Sequence, residues 1–381
     1  MDKIRGVCYI DHGRCRTMAA ALYGREVDTM AENAGFGSLG DQMVRLFRTG
    51  APDFEAAEEL IRQGADLNAT GKDEKNILSE ILMGYWESAY GDAAIDACEE
   101  CEDERCGECV DKQNLNPDPG ASMCSIIRFF LDHGFDVTKR DGCIGAQCLS
   151  ALAWSTFDRS MIAATKMLLD AGARNRSCST LSGDDDDTPR SVMETEETIM
   201  EIVEHDNAAA NIFEAVCRIY QAVDNGRPYG GIDSWEAAVG RKILRVLAES
   251  GQDRPAAVSM VLPDGQKEQG CTSTLYFVYD GGVLIAEQCA AFWTDTVLPD
   301  AALDDVSADF AGVVGSAIRR FTFEHRSLVQ GAVVHGQPVT TLEMDSGWQV
   351  RFSAGAGGAK GGKQAARIEL MQGMPPPEGN I

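Results

Sequence analysis

The chain has 381 residues, room for two or three domains, and its 44% hydrophobic content is an ordinary globular share. A formal net charge of -26 at pH 7 opposes nucleic-acid phosphates and anionic lipid, so neither is an expected partner. No apolar run approaches the roughly 18 residues of a membrane span, and thirteen scattered cysteines fit a reducing cytoplasm better than a disulfide framework.

The opening Met1–Cys8 carries charges with no apolar stretch behind them, which predicts no secretory signal. Residues 1–39 read as a leader or capping segment. The first organised unit follows. Ala56, Ala57, Leu60 and Ile61 form one apolar stripe at helical spacing. Gly64 stands where a helix end needs a residue with positive φ. Asp66 and Asn68 then suit a turn, because their short side chains bond nearby backbone.

Residues 88–120 read as an acidic insertion. Cys98, Cys101, Cys106 and Cys109 form two C-x2-C pairs, the spacing with which two thiolates grip one tetrahedral ion. The pairs are only four residues apart, against roughly 15–20 in common two-pair zinc sites. Surrounding carboxylates also oppose thiolate formation. The segment therefore reads as an acidic loop, with a structural zinc clip as the alternative and no other cofactor. Cys124, Cys143, Cys148 and Cys217 lie among apolar residues and read as small buried hydrophobes.

The first pattern recurs twice with clarity. Ile126, Ile127, Phe130 and Leu131 precede Gly134 and Asp136; Met161, Ala164, Met167, Leu168 and Leu169 precede Gly172. Val246-Leu247-Ala248-Glu249-Ser250-Gly251 is a weaker echo. Between them, Asp184–Asp187 lacks the alternating ligands of a calcium loop and reads as a solvated turn. Thr188-Pro189 has the makings of a helix start: a capping hydroxyl, then proline at the first helical position. Residues 51–210 hold 34 acidic and 13 basic side chains, a net of -21, so most of the negative charge sits with these units.

Gly64-Ala65-Asp66-Leu67-Asn68 resembles the ending of an ankyrin repeat, and Asp187-Thr188-Pro189-Arg190 resembles the opening of the next. The likeness covers roughly residues 40–255. Asp73–Glu80 stands where that family has Thr-Pro-Leu-His, and Phe135 and Arg174 replace its Ala and Asp. The resemblance implies a helical-hairpin solenoid in which stacked repeats share a core and turn tips bind proteins. By that resemblance the contact residues are Asp66, Asn68, Asp73, Asp136, Lys139, Arg140, Arg174 and Asn175.

Composition changes after Pro255, and residues 256–353 read as a smaller α+β domain. Leu275–Tyr279 and Val283–Glu287 flank Asp280-Gly281, a hairpin signal. Val339–Met344 and Trp348–Phe352 flank a second turn. Val306, Phe310, Val313, Val314 and Ile318 predict a helix over 304–320. Residues 354–381, rich in glycine and proline, read as a flexible tail.

No nucleophile elbow, P-loop or dinucleotide fingerprint is present. His325 and His335 stand alone, and an enzyme reading would have to place its site near them. The sequence thus predicts a mainly α N-terminal two-thirds followed by a smaller α+β domain with antiparallel hairpins. The functional expectation is a cytoplasmic, non-catalytic scaffold that binds a protein partner. The alternative is an acidic inhibitor or immunity protein that masks a basic toxin or nuclease.

Overall fold

The computed structural model describes residues 35–47, 52–71, 74–90, 119–153, 159–176, 207–249, 259–260, 270–271, 274–287, 291–326, 337–353 and 366–372. They fall into two compact units, the second of which takes Phe157–Lys166 together with residues from Val203 onward.

The first unit is helical. Its helices are α1 (Gly37–Phe47), α2 (Phe54–Arg62), α3 (Ile77–Tyr90), α4 (Pro119–Asp132) and α5 (Cys143–Ala153). It also holds the C-terminal end of α6 (Arg159–Asp170). Asp53 starts α2 by accepting from Ala56 N at 3.0 Å, and Asn76 starts α3 by accepting from Ser79 N at 2.8 Å. Phe47 of α1 and Phe130 of α4 are fully buried, with rings 5.6 Å apart. Phe54 and Phe129 complete the cluster, their rings 5.8 and 6.0 Å from that of Phe47. Each large side chain removed from water here contributes about 1.5–3 kcal/mol.

The second unit is a β-sandwich with one long helix, α7 (Asn207–Asp224). One sheet contains β1 (Asp233–Ser234), β2 (Ile243–Glu249), β5 (Leu275–Tyr279), β6 (Gly282–Glu287), β7 (Ala291–Asp295) and β8 (Leu303–Asp305), in the order β1-β7-β6-β5-β2-β8. The other contains β3 (Ser259–Met260), β4 (Gly270–Cys271), β9 (Ile318–Arg326), β10 (Gln337–Met344), β11 (Trp348–Ser353) and β12 (Ala366–Gln372). Its order is β3-β12-β11-β10-β9, with β4 also beside β12. Among the described strands all pairings are antiparallel except β3 with β12.

Alternation sets the core. Leu275, Phe277, Leu284, Ala286 and Phe292 of the first sheet share one buried cluster with Phe321, Leu342, Val350, Phe352 and Leu370 of the second. The Phe292 and Phe352 rings meet edge to face across it, 4.9 Å apart. Helix α7 packs on β7 and β1 and reaches β9 and β10 of the facing sheet. Asn211 of α7 fixes that contact by accepting from Phe292 N at 2.6 Å.

The architecture overturns the expected fold class. The described residues contain seven α-helices, and from Asp233 onward the chain forms two sheets rather than a continuation of a helical solenoid with a small α+β appendix. Val246–Glu249 of the weak echo lie in strand β2, because pairing with β5 and β8 decides the fate of a short apolar run that local pattern leaves ambiguous. The helix expected over 304–320 is instead β8, a 3-10 turn at Ser307–Phe310, further turns and the start of β9. Gly312 and Gly315 disfavour a continuous helix there, and Phe310 and Val313 anchor the connection in the sandwich core. The segment read as a tail contains β12, whose Ile368 and Leu370 are only 4% exposed.

Candidate interaction surface

Three helices of the first pattern end alike. The amides of Gly64, Gly134 and Gly172 donate to Ile61, Leu131 and Leu169 carbonyls, with φ of +100°, +89° and +106°. The next amide in each case reaches one carbonyl further back: Ala65 to Leu60, Phe135 to Phe130, Ala173 to Leu168. These paired bonds satisfy the last carbonyls of the helix and aim the chain away from its axis. A fourth copy closes α7, where Gly226 and Arg227 donate to Val223 and Ala222. The sequence signal for it was Asn225-Gly226 directly after an apolar-periodic segment.

The residues after each glycine then build the turns. Asp66 accepts from Asn68 N at 2.9 Å, and Asp136 accepts from Thr138 N at 2.9 Å and from its hydroxyl at 2.6 Å. Those two donors, the hydroxyl first, hold the Asp136 carboxyl below the usual carboxylate range. Asn68 joins the two turns. Its Nδ2 donates to Gly134 O at 3.0 Å, and its Oδ1 accepts from Asp136 N at 2.9 Å. Buried Asn76 makes a second link, donating to Ile144 O at 3.2 Å and to Gln147 Oε1 at 2.7 Å. The Cys148 thiol donates to Asn76 Oδ1 at 3.4 Å, and burial pushes that thiol's pKa up.

Lys139 and Arg140 stand exposed at the tip of the second turn. Arg140 reaches Glu74 at 3.4 Å, with both side chains more than two-fifths exposed. An exposed pair of this kind adds little stability. Between the tips lies a cleft of about 30 Å³ lined by Asn68, Asn76, Phe135 and Lys139 among others. It has room for about one water molecule.

No protein family, curated protein or solved structure matches the chain.

Among the expected contact residues, Asp66, Asn68 and Asp136 spend their side chains on the turns themselves. Arg174 bends back to Ala173 O at 2.6 Å, while Asn175 is half-buried. Lys139 and Arg140 are exposed, and Arg140 pairs with the part-exposed Glu74, which was not among the expected contact residues. Asp73 lies outside the described residues, as do Cys98, Cys101, Cys106, Cys109, Asp184–Asp187, Thr188 and His335. Among the described residues no group of three or more His, Cys, Asp or Glu gathers as a metal site would require, and no helix is long and apolar enough to cross a membrane. Cys148 and Cys217 are buried, whereas Cys124 and Cys143 are half-buried. Asn76 and Gln147 were also missed. An asparagine directly before Ile77 and three residues ahead of Ser79 is a helix-cap signal that could have identified the first of them.

Proposed function

We propose that the chain is a non-catalytic protein-binding module and that its helical unit binds a protein partner through the linked turns, as the resemblance to ankyrin repeats implies. The observation that supports this reading most is the Asn68 bridge. It ties two successive turns into one backbone frame, from which Glu74, Lys139 and Arg140 project. A surface ordered before binding loses less conformational entropy on association, and that raises affinity without any new contact.

The test uses the full chain as bait for partner identification, followed by measurement of affinity for the captured protein. Lys139→Glu with Arg140→Glu is expected to weaken binding at least about tenfold, the loss of about 1.4 kcal/mol. Thermal stability should stay within a few degrees, because both side chains are exposed. Undiminished binding by the double variant would overturn the reading. The net charge of -26 favours a second reading, an acidic inhibitor that masks a basic protein. That partner would be held more tightly by the unmodified chain at low salt and equally well or better by the charge-reversed variant.

A further inference from the structure

Three side chains around the sandwich core carry polar atoms that are shielded from solvent and have no hydrogen-bond partner among the described residues: Asn211 Nδ2, Trp235 Nε1 and Thr340 Oγ1. Asn211 and Thr340 are 1% and 0% exposed. They belong to one neighbourhood. Thr340 sits on β10 directly between Phe323 of β9 and Phe352 of β11. The Trp235 ring lies 5.0 Å from that of Phe323 and 4.7 Å from that of Phe321. Phe352 in turn meets Phe292, whose amide is held by the Asn211 oxygen. Helix α7 reaches β9 and β10 as well.

A buried polar group left unpaired weakens folding by about tenfold or more, so native proteins keep few of them. Here an amide N–H, an indole N–H and a hydroxyl sit on elements that meet around the aromatic cluster of Phe292, Phe321, Phe323 and Phe352. The first two can only donate, and the hydroxyl can donate as well. The chemistry that satisfies such a set is a water, which accepts twice and donates to the hydroxyl, or a carboxylate, which can accept from all three. We propose that this part of the sandwich binds a small oxygen acceptor that bridges Asn211, Trp235 and Thr340 and fastens α7 to the sheets. Two sources share that chemistry: an internal water, or the oxygen of a small carboxylate guest. The aromatic walls shield either one from solvent and strengthen its hydrogen bonds.

The experiment uses the full chain. Thr340→Val removes only the hydroxyl and keeps the shape, while Thr340→Ser keeps the hydroxyl. In denaturant unfolding, Thr340→Val is expected to lower the folding equilibrium constant about tenfold. Its combination with Trp235→Phe should cost less than the product of the two single effects, because both groups bind the same oxygen. In the native protein the indole N–H resonance of Trp235, assigned through Trp235→Phe, should shift in Thr340→Val and stay in place in Thr340→Ser. Protein refolded without carboxylates and then titrated with acetate distinguishes the sources. A rise in melting temperature in the wild type but not in Thr340→Val identifies a carboxylate guest; no rise, with the Thr340→Val loss intact, identifies water. A Thr340→Val protein as stable as wild type, with additive effects and an unmoved indole resonance, would overturn the proposal and leave the N–H groups to the aromatic ring faces.

Discussion

Gly172 and Gly64 occupy equivalent places at the ends of their helices, yet their surroundings differ. Both have φ near +100°, a conformation that costs an L side chain about 1–2 kcal/mol. A Cβ at Gly64 meets nothing within 4 Å, whereas one at Gly172 would come within 2.9 Å of Thr138 Cγ2. Gly64→Ala should therefore destabilise the full chain by about the conformational cost alone, and Gly172→Ala by about a further 1 kcal/mol, measured by urea unfolding. Cysteine reactivity gives a second check. Cys148 is fully buried, its thiol pKa is raised by burial, and the thiolate is the reactive form. In the native protein it should resist alkylation while half-buried Cys143 reacts, and both should label once the chain is unfolded. Equal rates in the native state would contradict the described packing.

Among the elements, the turn after α4 couples local chemistry to pH. Thr138 lowers the folded pKa of Asp136, so the unfolded chain binds this proton more readily than the folded one. The stabilisation is present above the ordinary aspartate value, about 3.9, and is lost as pH falls through the lower folded value. Asp136→Asn should flatten that acid-side slope, read from unfolding midpoints between about pH 5 and pH 2. The helix-end turns were largely legible in sequence, because a glycine followed by Asp or Asn acts within a few residues. Gly64, Gly134 and Gly172 were found from that pattern, and so were the antiparallel β5–β6 and β10–β11 pairs. Strand β2 and the connection over 304–320 were not. Ile243–Glu249 and Val306–Ile318 carry apolar spacings that suit a helix, and only their neighbours in the sheets decide otherwise.

At the scale of the whole molecule, the sandwich is closed by strands far apart in sequence. Strand β12 pairs with β11, with β3 and with β4, so Leu370 lies opposite both Val350 and Met260. A chain ending at Ser353 loses Ile368 and Leu370 from the core, at about 1.5–3 kcal/mol each, and leaves β11 as an unpaired edge. Such a truncation should abolish cooperative unfolding of the second unit, observable by calorimetry against the full chain. An unchanged transition would mean that β12 contributes nothing to the fold. Pairings that span a hundred residues are also the reason a glycine-rich C-terminal stretch reads as a tail: nothing within it announces the strand that receives it.

The sequence by itself determined the helix ends, the turn chemistry of Asp66, Asn68 and Asp136, and two hairpins, since each depends on residues only a few positions apart. The tertiary structure decided what the sequence left open. It assigned Val246–Glu249 to a strand, brought β12 into a sheet, and made Asn68 a link between turns rather than a free contact residue. It also buried polar atoms of Asn211, Trp235 and Thr340, from a helix, a 3-10 turn and a strand. The physical reason is the same throughout. Caps and tight turns are set by local hydrogen bonds, whereas strand partners and buried polar groups are set by which distant surfaces exclude water together.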